Sequence, residues 1–158
     1  MKPLIIALPV NTLKQQGARP LSGKTGDRFA VMCGLDDTLD LWSRFEIISL
    51  TSGKDKGVSP TDPNAPEVYR RAALHHRERM FHSEPRTVLF VGAMCAHSFN
   101  LTKKYEYAEW YTWLGAHRLA KIPSPHHYNA WLRRNVELAL KCQRFLRKLV
   151  KEVDSSDE

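Results

Sequence analysis

Leu4-Ile5-Ile6-Ala7-Leu8 is a five-residue run without a polar position, ended by Pro9. It is too short for a useful helix and lacks the alternation of a strand with one wet face. Such a run fits a strand buried on both sides, as in a parallel sheet covered by helices. Phe45-Glu46-Ile47-Ile48-Ser49-Leu50 and Thr87-Val88-Leu89-Phe90-Val91 read as further strands. Leu119-Ala120-Lys121-Ile122 is a weaker fourth, closed by Pro123-Ser124-Pro125.

Helical segments separate these strands. Ser22 can cap a helix reaching about Cys33, with Gly34 as its stop. Pro66 opens a second, to about His82, and Gly92 turns the third strand into a short helix from Ala93 to Phe99. Residues 51–66 hold three prolines and two glycines and form a long surface loop. Residues 105–118 are aromatic-rich and ambiguous. A basic amphipathic helix spans about Asn129 to Val153, its stripe including Ala139, Cys142, Leu146 and Leu149. The alternation predicts one α/β domain over residues 1–153, a three-layer α/β/α arrangement with a mainly parallel four-stranded central sheet. Residues 154–158 read as a disordered acidic tail.

The chain of 158 residues is 42% hydrophobic, enough for a core and against general disorder. No apolar run approaches the roughly 18 residues of a membrane span. The N-terminal segment is too short for a signal peptide. Cys33, Cys95 and Cys142 are widely spaced, offer no disulfide framework or CxxC pair, and suit a reducing cytoplasm.

The formal charge is +7 and unevenly placed. Residues 101–150 hold ten basic against three acidic side chains, and residues 151–158 one against four. A one-sided field of this kind predicts an anionic partner, DNA above all. In open α/β sheets ligands bind beyond the carboxyl ends of the strands. Three loops therefore qualify: Pro9 to Ser22, Thr51 to Asn64, and Pro123 to Tyr128.

Ala18 to Thr25 matches a phosphate-loop pattern if alanine is allowed at its first position, with Lys24 on phosphate oxygens and Thr25 on magnesium. Its context is wrong, because the preceding strand ends some ten residues early and Pro20 removes a cradling N–H. Adjacent His75-His76 and His126-His127 diverge and read with His82 as surface residues, not as a metal centre. No G-x-S-x-G elbow occurs. Pro123 to Arg134 joins a rigid turn to Ser124, His126, His127, Tyr128, Trp131, Arg133 and Arg134, a set suited to phosphates and stacked bases.

Taken in order, these segments resemble the uracil-DNA glycosylase superfamily, particularly its small bacterial and phage-type members. Gly17 to Gly26 resembles its "GRPF-x-G-x-x-G" segment, and Arg86 to Ala96 its "P-x-x-hydrophobic-x-LG-x-x-A" strand and helix. Ile122-Pro123-Ser124-Pro125 resembles its "HPSP" loop, followed by the Asn129-Ala-Trp131 helix start. The likeness covers most of residues 3–150.

The resemblance implies a base-flipping protein that acts on a pyrimidine in DNA, in a bacterial or phage-infected cytoplasm. Asn11 would orient water or meet the sugar, and His126 or His127 would donate to the departing base. Ser124 would hold phosphate, Tyr128 and Trp131 would flank bases, and Arg19, Lys24, Arg133 and Arg134 would contact the backbone. The loop histidine of the family corresponds to Ile122, and its usual asparagine is replaced around Ser49-Leu50-Thr51. Three cysteines cannot supply the four thiolates of the iron–sulfur branch, so no cofactor is expected. A non-catalytic DNA-binding module on the same fold is the rival reading, and a phosphate-loop nucleotide enzyme a more distant one.

Overall fold

The computed structural model describes residues 1–8, 20–55, 57–113, 116–125 and 133–156. β1 (Leu4–Ala7) is buried along its whole length, as its unbroken apolar run requires. It pairs in parallel with β2 (Glu46–Ser49) on one side and β3 (Thr87–Val91) on the other. β3 pairs in parallel with β5 (His117–Ile122), which pairs antiparallel with β4 (Tyr111–Trp113). Among the described residues the sheet order is β2-β1-β3-β5-β4, five strands where the sequence suggested four. The extra edge strand comes from the ambiguous aromatic segment. The short Leu119–Ile122 run is the end of a six-residue inner strand that begins at His117.

Side chains alternate across this sheet into two cores. Ile5, Leu89, Val91, Ala120 and Ile122 pack on α1 (Gly23–Met32), α2 (Thr38–Arg44) and α5 (Val136–Ser156). Leu4, Ile6, Val88, Phe90 and Leu119 pack on α3 (Ala65–Phe81) and α4 (Ala93–Ser98). The three-layer α/β/α expectation is therefore met. α2 was not foreseen. Its start is fixed by Asp37, whose carboxylate accepts from the Asp40 N–H at 2.9 Å.

The acidic tail also needs correction. α5 continues through Asp154 to Ser156 rather than ending at Val153, because Arg44 donates from Nε to the Asp154 carboxylate at 2.9 Å. At its other end, α5 begins at Val136, and the expected start near Asn129 lies outside the described residues.

The turn before α1 is tight. Leu21 is buried with φ 57°, and Gly23 has φ 61°. A Cβ on Gly26 would stand 2.1 Å from the Leu21 carbonyl oxygen and 2.7 Å from Thr38 Cγ2 on α2. Gly26→Ala should therefore lower unfolding stability by about 2 kcal/mol or more, read as a lower urea midpoint with an unchanged slope. An unchanged midpoint would mean that the turn is not packed as described.

Candidate functional site

Four parallel strands place four carboxyl ends on one edge of the sheet. Leu8, Leu50-Thr51, Gly92 and Pro123-Ser124-Pro125 leave from that edge. The edge is tied together by main-chain bonds, Leu50 N–H to Ala7 O at 2.8 Å and Gly92 N–H to Ile122 O at 2.7 Å. Pro123 and Pro125 are buried, and Ser124 between them is partly exposed.

Of the residues singled out from sequence, Ser124, Lys24, Arg133 and Arg134 are described. Ser124 stands on the carboxyl edge directly after β5. Lys24 is exposed in the first turn of α1. Arg133 and Arg134 form an exposed helical turn just before α5. Asn11, Arg19, His126, His127, Tyr128 and Trp131 lie outside the described residues. Ile122 is fully buried among core side chains and offers no hydrogen-bond donor to a ligand.

The two ends of the sheet differ in charge pairing. At the amino end, Arg86 pairs with Glu46 at 2.9 Å, Arg118 with Glu152 at 3.0 Å and Arg44 with Asp154 at 2.9 Å. Among the described residues no carboxylate lies within 4.0 Å of Arg133, Arg134 or Lys24. The positive charge of α5 is also less concentrated than the sequence suggested. Arg144, Arg147, Lys148 and Lys151 run down a helix that extends about 20 Å from Val136 to Lys151. Only its first turns adjoin the carboxyl edge.

The phosphate-loop context fails in three dimensions as well. β1 ends at Ala7 and the helix that carries Lys24 and Thr25, α1, begins at Gly23, so that helix does not open directly from the strand. Among the described residues no group of three His, Cys, Asp or Glu could hold a metal ion. Burial raises the pKa of all three cysteine thiols, Cys142 to about 11, which suits packing rather than nucleophilic attack. No helix among the described residues is long and apolar enough to cross a membrane.

Three groups at this edge escaped the candidate set. Ser49 Oγ and Thr51 Oγ1, at the end of β2, are buried without a hydrogen-bond partner among the described residues. Unpaired buried hydroxyls are uncommon and costly. The third is Lys121, 8% exposed on β5, whose ammonium donates to the Thr102 carbonyl at 3.2 Å and stands 4.4 Å from the Tyr107 ring. A lysine inside Leu119-Ala-Lys-Ile122 was the one signal available. Lys121 lines a cleft of about 1260 Å³ between the start of α3, α4 and the segment following α4.

His76, expected on the surface, is half-buried on α3, with its Nε2 2.9 Å from the Leu50 carbonyl oxygen. The contact secures the exit of β2 next to Thr51. Compared with known proteins, the chain matches no family model and no curated protein.

Burial holds the His76 pKa below its ordinary 6.5, although the Leu50 hydrogen bond opposes the shift. The unfolded chain then binds the proton more readily than the folded one. The His76 contribution is complete above about pH 6.5 and is lost as pH falls through that value towards the folded pKa. The urea midpoint should drop between about pH 7.5 and about pH 5.5, and His76→Gln should flatten that drop. Equal pH slopes in both proteins would contradict this assignment.

Proposed function

We propose that this protein is a DNA-binding domain of the uracil-DNA glycosylase type, acting on a damaged or modified pyrimidine drawn out of the stack. The observation that carries the reading is the convergence of strand exits. Segments marked by separate parts of the resemblance, Ser49-Leu50-Thr51 and Pro123-Ser124-Pro125, leave the same edge of one parallel sheet. The connection from β1 to α1, which includes Asn11 and Arg19, starts at that edge too. A ligand that meets all of them lies beyond the carboxyl ends of the strands, where this architecture recruits ligands.

The charges support a nucleic acid over a neutral ligand. Arg133 and Arg134 stand exposed just before α5, whose Leu138 and Lys141 line the same cleft as Lys121 of β5, whereas Arg44, Arg86 and Arg118 at the amino end are paired with carboxylates. In this reading Ser124 receives a phosphate, and Arg19, Lys24, Arg133 and Arg134 follow the strand. Tyr128 and Trp131 flank the displaced base. The hydroxyls of Ser49 and Thr51, without partners among the described residues, take the place of the amide that the resemblance leads one to expect, and a hydroxyl can either donate to a base edge or accept from it.

Cleavage would add water at the sugar carbon, break the bond to the base nitrogen and release the base as an anion that then takes a proton. Asn11 would hold the water, and His126 or His127 would donate to the departing base. The burial of Ile122 favours a second reading, because the position matched to the family's histidine is committed to the core. A module that binds a flipped base without cleaving it needs no donor there.

Duplexes with uracil or damaged pyrimidines separate the two readings. The catalytic form leaves alkali-labile abasic sites, and Asn11→Ala abolishes them. The binding form leaves none but still binds. In either case, replacing Arg133 and Arg134 by alanine should weaken DNA binding about equally across sequences and reduce the slope of log affinity against log salt by about 2. Affinity and slope unchanged in that variant would overturn the proposed DNA interface.

A further inference from the structure

We propose that the cleft beside α4 is a second binding site, for a small planar ring that carries an anionic group, with Lys121 as the seat of the anion. The proposal does not rest on the DNA reading. It starts from an imbalance in the structure. A cation withdrawn from water is normally paired with an anion, because its lost hydration is otherwise uncompensated. Lys121 is 8% exposed, yet no carboxylate lies within 4.0 Å of it among the described residues. Its hydrogen-bond partner is one neutral carbonyl, that of Thr102. An ammonium has three N–H donors, so this leaves unused capacity directed at a space rather than at the core.

Two other cations lining the cleft are already paired, and a third, Lys103, is exposed to water and carries no comparable desolvation cost. Arg70 pairs with Glu67 at 3.5 Å, and Lys141 with Glu109 at 2.7 Å. Besides the Thr102 carbonyl, Lys121 has the Tyr107 ring, 4.4 Å from its nitrogen. A cation–π contact is weaker than an ion pair and does not use up the donors.

The surroundings select a ring. Tyr105 and Tyr107 line the cleft with apolar Met94 and Leu138. Tyr105 is held edge-on against Tyr111 at 4.9 Å between ring centres, and the Tyr111 hydroxyl accepts from the Glu106 N–H at 2.9 Å. The tyrosine wall is therefore set before any ligand arrives, which lowers the cost of binding. A planar ligand would lie against these aromatic faces and direct its anionic oxygens at Lys121. The phosphates of a duplex are a poor fit, because the helical backbone cannot deliver them to a side chain this buried.

Carboxylate and phosphate satisfy the same donors, so two probes distinguish the sources: orotate, a planar ring carboxylate, and uridine 5′-monophosphate. Each is titrated into the ¹⁵N-labelled 158-residue chain at about 150 mM salt, where weak surface attraction is screened. At least one probe should bind with a dissociation constant below about 1 mM, shifting the amides of Thr102, Tyr107 and Lys121. Lys121→Met should weaken that binding at least tenfold, a large effect expected from losing a charge-assisted bond. Met94→Trp, at a partly exposed position, should obstruct the cleft and give the same loss while leaving β5 intact. DNA affinity should be unchanged in both variants, which separates this site from the proposed DNA interface. Failure of both probes to bind the wild type overturns the proposal. So does equal binding by wild type and Met94→Trp.

Discussion

Because β1 runs between two parallel neighbours in a mainly parallel sheet, both of its faces have to be covered, and this requirement shapes nearly everything else in the molecule. Ile5 and Ile6 are each fully buried but belong to opposite cores. α1, α2 and α5 cover one face and α3 with α4 the other, so two apolar layers close on a single sheet. Parallel pairing also demands crossovers, which return the chain to the same end after each strand. The alignment of four carboxyl ends is thus a by-product of hiding β1. It gives the protein one edge where loops distant in sequence meet.

That edge is chemically unlike its opposite. At the amino end, arginines are tied to carboxylates on neighbouring elements, and the pairs fasten α5 to α2 through Arg44 and Asp154 and to β5 through Arg118 and Glu152. At the carboxyl end, Arg133 and Arg134 are exposed, while Ser49 and Thr51 keep buried hydroxyls without partners among the described residues. Exposed surface pairs contribute little individually to stability. What separates the two ends is that the described arginine–carboxylate pairs gather at one and the unpartnered hydroxyls of Ser49 and Thr51 at the other.

The sequence made the buried strands easy to recognise, because an apolar run beside a proline or glycine has few alternatives. α3 was found within a residue at each end for a similar reason: Pro66 marks its first turn. Polar residues inside structural elements were harder to interpret. His117 and Lys121 made β5 look like a weak four-residue strand. In fact His117 is buried, with its Nε2 2.7 Å from the Met80 carbonyl oxygen and its Nδ1 accepting from the Arg86 N–H at 3.3 Å. The charges of Asp154 suggested disorder because their partner, Arg44, lies 110 positions away. Of the site, Ser124 was legible from its proline setting. Lys121, Ser49 and Thr51 were not, since among the described residues the hydroxyls are distinguished by burial without a hydrogen-bond partner and the lysine by burial without a carboxylate partner. Asn11, Arg19, His126, His127, Tyr128 and Trp131 remain assignments of sequence and resemblance.

The most direct test of a DNA-facing carboxyl edge is a map of backbone amide shifts as a short duplex with a modified pyrimidine is titrated into the labelled protein. The predicted result is a continuous set of shifts at Ser49 to Thr51, Ser124, and Arg133 with Arg134, fading as salt is raised. Shifts centred instead on Lys2, Arg86 and Arg118 at the amino end, or none even at low salt, would contradict it.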